Sequence, residues 1–571
     1  MLALARRLDG SRITALFMMM VMLLAPLLAA CEDDAFGGAS GGLPPYDGGI
    51  YVPDTPAGPD TLAPVPGTVT ASNPTSSTVD LSWSAATDDV TPAADLEYRV
   101  FYSLTDDIDS VADVLANGTA ASEWQKNVTS LTVKSLALEM PYYFNVLVRD
   151  KAQNTAVYGG ASAATLGGGW QAEELVDDYT GGAVYYSRLA VSPKGDVAAY
   201  WARAPEWELA VAVRPHDADT FGPAAAWKGV PRFQTRFEYG FGSSLMGPVF
   251  RQNEDETFDL LLASSTGGAA VTLDPIAPGL VNVTSDARVC VAANGDVMLA
   301  WIDYDKDYKG VVRARFRTAS GWGSTSVVSA SENGTFFGLE VACSPDGNHL
   351  VVYGDESVTP RTLLGRVYDA ALGDWKAAAT PLGDRVYYGR VVTARTATGK
   401  RYVAWEEHDD ETSTSYFMVR SFDGTSWSEP DTLASGSLYD LSLTAAADDV
   451  HALWMRSTDN QLVTRRLAAG ASTWSTETPL GELSSVQALR VSGSRFGDAL
   501  AAWFDDTNVM ARAYSPATQT WGDVVTLTDG PVLVGHGSLD CILDPRRRAT
   551  VVWTEYDSDA EILVAKARTF R

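Results

Sequence analysis

Carboxylates recur at one place in a repeating pattern. Asp303, Asp305 and Asp307 in IDYDKDY, Glu406, Glu407, Asp409 and Asp410 in EEHDDET, Asp505 and Asp506 in FDDTN, and Glu555, Asp557 and Asp559 in TEYDSDAE each follow an apolar run that ends in an aromatic residue. NEDE, Asn253 to Glu256, fits the same place. Oxygen ligands gathered in loops hold calcium or a cationic group when they converge. Spread over a surface, the same residues are a solubilising coat. Both readings stay open, because no loop is a complete EF-hand: the Asp303 run lacks the glycine at its sixth position and the closing glutamate. His216, His349, His408, His451 and His536 are scattered with no H-x-x-x-H pair, which argues against zinc. Gly38, Ser40 and Gly42 satisfy G-x-S-x-G, but they sit in a glycine- and proline-rich stretch with neither the strand nor the helix a nucleophile elbow needs.

The aromatic residues before these acids define the elements that position them. They fall at Trp201, Trp301, Tyr353, Trp405, Trp454, Trp503 and Trp553, and the steps after Trp301 are 52, 52, 49, 49 and 50 residues. Trp201 to Trp301 leaves room for two units, with the missing anchor near Phe250. Each unit reads as an apolar strand, a turn such as SPKGD or AANGD, the anchor strand, a polar loop, an alternating strand, and an outer strand that begins with tryptophan. Four short strands in roughly fifty residues make one propeller blade, and blades must stack to bury their faces. Eight blades are expected, or seven if the divergent stretch around Phe250 is an insertion. Outer-strand tryptophans stand at Trp227, Trp322, Trp375, Trp427, Trp474 and Trp521, whereas the last unit stops at Arg571 without one. Trp170 in GGGWQAEELVDD has an outer strand and no unit. Pairing it with the last three strands closes the ring and hides an edge. In this ring the acids lie on one rim, where propellers take ligands.

Composition bounds the class of function. The chain has 571 residues, 46% hydrophobic and 10% aromatic, with 49 glycines and 16 tryptophans. It is read as all-β. A net charge of −29 with no basic stripe excludes nucleic-acid phosphate as a partner. Cys290, Cys343 and Cys541 lie 11, 10 and 12 residues before their anchors, on equivalent first strands. They read as small core residues, and a Cys290–Cys343 disulfide is left open.

Arg6, Arg7 and Arg12 precede an apolar run that ends in LLAAC, Leu27 to Cys31. This resembles a bacterial lipoprotein signal, which implies a signal peptide over 1–30, a lipid on Cys31, and an extracytoplasmic protein held to the cell envelope, inner or outer membrane unresolved. Loss of three arginines and Asp9 would take the charge to −31. Residues 31–60 form a glycine- and proline-rich tether. Residues 61–166 resemble a fibronectin type III domain, with Trp83 on the second strand, Tyr98, Val100 and Tyr102 on the third, and Leu136, Tyr142, Phe144, Val146 and Val148 as a tyrosine-corner strand. The resemblance implies that the loops with Asp88 and Asp89 and with Asp150 and Asn154 share one end. They are read as a possible calcium site or as solvated Asx turns.

Residues 167–571 form the propeller. SFDGTSW, Ser421 to Trp427, faintly resembles the Asp-box turns of sialidase-like propellers but is one residue short, and that family's catalytic arginines and Tyr/Glu pair cannot be placed. The expected function is therefore a monomeric binding or scaffolding protein that recognises a glycan, a protein or a cation-dependent partner through the rim loops. The alternative is a glycoside hydrolase or lyase of sialidase-like architecture. No catalytic residue is assigned.

Overall fold

The apolar runs that end in the anchor aromatics form strands buried on both faces, so they read as continuous rather than alternating hydrophobic sequence. Val197–Arg203, His349–Asp355 and Ala499–Phe504 are buried at every position. The computed structural model describes residues 59–571 other than 178, 180, 206, 228–236, 240–243, 267–270, 283–286, 293, 345–346, 484–487, 506, 533 and 558–560. Cys31, the tether and the Gly38–Gly42 match lie outside the described residues, as do Asp506 and Asp559. Among the described residues no helix is long and apolar enough to cross a membrane.

Two sheets come first. Val69–Ser72, Val79–Trp83 and Ser130–Val133 form one; Glu97–Ser103 and Pro141–Arg149 are the centre of the other. Trp83, Tyr98, Val100, Leu136, Tyr142, Phe144, Val146 and Val148 are buried between them in one cluster. The Tyr142 hydroxyl accepts from the Ala137 amide at 2.8 Å, pinning the chain just before its own strand. A short helix, Val111–Asn117, is added to the sandwich. Ser110 caps it by accepting from the Asp113 amide.

The rest of the chain is a propeller-like all-β ring. Among the described residues, four- or five-stranded antiparallel sheets follow one another at 184–227, 238–280, 287–327, 336–384, 386–436, 438–482, 489–526 and 534–570. They are called the first to eighth sheets below. The innermost strand of each contacts the innermost region of the next, and Val534–Leu543 of the eighth returns to Val184–Val191 of the first. The divergent stretch has its own sheet: Phe250 lies on Ser244–Gln252, paired with Phe258–Thr266. A disulfide joins Cys290, on the innermost strand Ala287–Val291 of the third sheet, to Cys343, the residue after the innermost strand Phe336–Ala342 of the fourth, while Cys541 is buried and outside any disulfide.

Glu174–Leu175 is the fourth strand of the eighth sheet, paired with Ile562–Phe570, and Trp170 bridges Phe570. One arginine in each of the third to eighth sheets shows that this segment occupies an ordinary outer-strand position. Arg315, Arg366, Arg420, Arg465 and Arg512 each donate Nε to the carbonyl one residue after the outer tryptophan of their own sheet, and Nη1 to the outer edge of the sheet before. Arg568 does the same with the Gln171 and Leu527 carbonyls, and Gln171 follows Trp170. Asp177, just beyond, is fully buried beneath Trp201 Nε1 and the Arg203 guanidinium of the first sheet.

The sandwich meets the ring at the turns between first and second strands. Arg546 donates to the Ser135 and His216 carbonyls, both at 2.7 Å; Arg547 donates to the Leu138 carbonyl at 2.8 Å and pairs with Asp498. The loops between second and third strands lie at the other end of the same strands, away from this contact.

Candidate functional site

At that second end, the rim acids are largely engaged by their own loops. Asp303 pairs with Arg313 at 2.7 Å. Asp305 accepts from the Asp307 and Lys309 amides, and Asp505 from the Asn508 amide; Asp307 is exposed. Glu407 and Glu555 each accept from the indole of the anchor two residues earlier, Trp405 at 2.9 Å and Trp553 at 2.7 Å. Glu555 also pairs with Lys566. Asp409 accepts the Glu411 and Thr412 amides and lies 3.4 Å from Arg385; those amides hold its pKa below the usual range. Burial raises the pKa of Glu407, against the indole bond that lowers it. Asp410 is exposed, and Asp557 ends the strand Ala549–Asp557. Among the described residues no three rim carboxylates bring ligand atoms within 4.8 Å of one another.

In the sandwich, the loops after Trp83 and after Arg149 do meet. A carboxylate oxygen of Asp88 lies within 4.8 Å of one from Asp150. Asp88 Oδ2 caps the Val90 and Thr91 amides, and its Oδ1 is buried without a hydrogen-bond partner. Asp150 is buried and accepts both the amide and the side-chain Nδ2 of Asn154, whereas Asp89 is exposed.

The histidines are dispersed. His349 and His451 are buried on second strands, and His216 Nδ1 lies 2.8 Å from Asp196. His408 stands on the rim. His536 has a side chain outside the described set. In SFDGTSW, Asp423 accepts the Thr425 and Ser426 amides and Gly424 takes φ +102°, a tight hairpin between third and fourth strands.

What dominates this end is aromatic. Among the described residues, the exposed large aromatic side chains are Tyr186, Trp207, Tyr308, Tyr387, Tyr439 and Tyr556. All six lie at the start of a first strand or around the loop from second to third strand. Trp207 is 41% exposed and stacks on Tyr185 at 5.5 Å; Tyr308 is 59% exposed.

Three of them occupy left-handed backbone: Tyr186 at φ +59°, Trp207 at +55° and Tyr308 at +56°. Bulky residues rarely stand there. Other units show what those positions ordinarily take. The bulge that holds Tyr186 in the first sheet holds Gly338 at +60° in the fourth and Asp440 at +50° in the sixth. The turn residue before the third strand is Asn460 at +56° in the sixth sheet, Ser413 at +53° in the fifth, Glu256 at +65° in the second and Glu561 at +54° in the eighth. Aromatics therefore stand where other units carry glycine, aspartate, asparagine, serine or glutamate. The carboxylate pattern in the sequence hid them; the signal was a large aromatic where the repeat wants a turn residue.

No protein-family model matches the chain, and no curated protein sequence does. Solved structures similar to it are polysaccharide-lyase and sialidase-like propeller folds. They include the polysaccharide lyase Uly1 (9% identity, 71% of this chain and 99% of that one, TM-score 0.39). The ulvan lyase of polysaccharide lyase family 25 bound to -[GlcA(1-4)Rha3S]- gives 10% identity, 62% and 93% coverage, and TM-score 0.38. The Hadza microbial sialidase Hz136 gives 10%, 87% and 94%, and 0.32. At these values the likeness is one of coarse fold.

Proposed function

We propose that the chain is a lipid-anchored, extracytoplasmic carbohydrate-recognition protein, in which a fibronectin type III-like spacer (61–166) carries an eight-bladed propeller (167–571). The observation that carries the reading is the set of exposed aromatics on one end of the ring, three of them in left-handed backbone. Flat aromatic faces bury the apolar faces of sugar rings, and exposed apolar groups concentrated on one face mark an interaction surface. Strained backbone persists where function selects it. The lipoprotein-like signal supports the anchor, and the sequential sheets with their shared arginine bonds support the blade count. The acidic surface disfavours strongly anionic glycans. Binding of the native chain to a panel of immobilised neutral polysaccharides tests the reading. Retention should be lost together in Trp207→Ala and Tyr308→Ala; retention by no polysaccharide turns the proposal toward a protein partner.

A glycoside hydrolase or lyase is the second reading. Glu407 favours it: burial raises its pKa in spite of the Trp405 indole bond, the direction a general acid needs, and Arg385 is nearby. Release of reducing ends or of unsaturated sugars from a bound polysaccharide, lost in Glu407→Gln, would establish it.

A further inference from the structure

His408 is held in a defined tautomer at the edge of the exposed end. Glu406 and His408 are two residues apart on Arg401–Asp409 and so share a face of that strand; Ser415, on Thr414–Phe422, is the cross-strand partner of His408. Glu406 is 4% exposed. The Ser415 hydroxyl donates to Glu406 Oε1 at 2.8 Å and lies 3.1 Å from His408 Nδ1. A hydroxyl has one proton. Given to the carboxylate, it leaves Oγ as an acceptor toward the ring, so Nδ1 carries the imidazole proton. Nε2 of the neutral ring is then an acceptor. The ring is partly exposed and lies 5.8 Å from the exposed ring of Tyr387 on the neighbouring strand Val386–Arg395.

We propose that Tyr387 and His408 form one sugar subsite, in which the Tyr387 face stacks on a pyranose of a neutral oligosaccharide and His408 Nε2 accepts one of its hydroxyls. This rests on the carbohydrate reading above and adds a pH gate to it. The charged and titratable groups around the ring fix the sign. Glu406 acts through Ser415. Asp409 is bonded to amides and lies near Arg385, which also lies 3.6 Å from Asp384. Glu407 lies on the opposite face of the strand. Asp410 Oδ1 is 3.8 Å from Nε2. Protonation puts a hydrogen on Nε2, removes the acceptor, and turns the new donor toward Asp410. The subsite therefore takes a donating sugar hydroxyl best with neutral imidazole, and its contribution is weakened in acid.

Calorimetric titration of the detergent-solubilised full chain with cellohexaose, laminarihexaose and chitohexaose, at about pH 8 and about pH 5, tests it. For whichever hexasaccharide binds, acidification should weaken wild-type binding about fivefold or more. His408→Gln, which keeps a neutral acceptor, should bind with no such pH dependence. Ser415→Ala, which frees the tautomer, should bind more weakly at the higher pH, and Ser415→Thr should restore wild-type affinity. Binding that is flat or tighter in acid, or an His408→Gln profile equal to wild type, overturns the subsite and leaves the carbohydrate reading standing. If no hexasaccharide binds at either pH, both fall.

Discussion

The two ends of the ring make turns by different rules. Where the sandwich docks, the turns between first and second strands use short polar side chains that bond to the turn itself: Ser192 with Asp196, Ser494 with Asp498, and Asp544 with the Arg546 and Arg548 amides. At the far end, comparable demands on the backbone are met by Tyr186, Trp207 and Tyr308. At the first end the left-handed turn position is mostly glycine, as at Gly195, Gly295, Gly399 and Gly497, with Ala447 at +50° and Arg547 at +64° as exceptions, and Arg547 is held by Asp498 and the sandwich; at the second end the exceptions include three large aromatics. Such exceptions collect at functional sites, because elsewhere nothing offsets their cost. The docked end holds the architecture; on the proposed reading, the open end presents the ligand surface.

The comparison can be broken most severely from the docked side. Deleting Gly168 to Val176 removes the strand Glu174–Leu175, the Trp170 bridge and the Asp177 anchor's approach. The ring should lose its cooperative thermal transition, and a variant that melts at the parent temperature would defeat closure by this segment. Next in size is an acid effect at His451, fully buried beside Tyr514 and Trp521 with neither ring nitrogen hydrogen-bonded. Burial lowers its pKa from 6.5 to about 4. The unfolded chain takes up this proton and the folded one does not, so the contribution is complete above 6.5 and is lost as pH falls toward 4, on the order of 3 kcal/mol. His451→Phe should flatten the fall in melting temperature across that window. An unchanged slope would assign the acid sensitivity elsewhere.

Smaller again is Arg420→Ala, which removes bonds to the Ser428 and Pro381 carbonyls and should destabilise by about 1–3 kcal/mol in a denaturant titration without altering ligand binding. Smallest is calcium in the sandwich. If the orphaned Asp88 oxygen beside Asp150 takes an ion, calcium should raise the melting temperature by a few degrees and EGTA reverse it. No shift would leave Asp88 and Asp150 as turn residues.

The repeat, its Phe250 variant and the role of Trp170 were readable because anchors about fifty residues apart carry their own phase, and an outer strand without a unit implies a unit without one. The arginine bonds were not readable: the arginine stands seven residues before Trp322 and Trp427 but nine before Trp375, Trp474 and Trp521, so turn length blurs the spacing. The Cys290–Cys343 bond was left open, since repeat-equivalent core positions and paired positions look alike until neighbouring innermost strands are seen side by side. The helix Val111–Asn117 went unread because seven residues show too little periodicity. At the candidate site the acids attracted notice by number, yet their geometry is mostly that of turns and indole partners. The aromatics were legible only as exceptions at positions that needed backbone angles to identify.

The most direct measurement is paired stability and carbohydrate binding of a Tyr186→Gly/Tyr308→Asn variant, which restores at both positions the residue types found in equivalent units. The account predicts a gain of about 1 kcal/mol or more in unfolding free energy, as left-handed strain is relieved, together with loss of retention on the polysaccharide that holds the native chain. A variant that is less stable, or that binds as the native chain does, would contradict the claim that these residues are kept for the ligand.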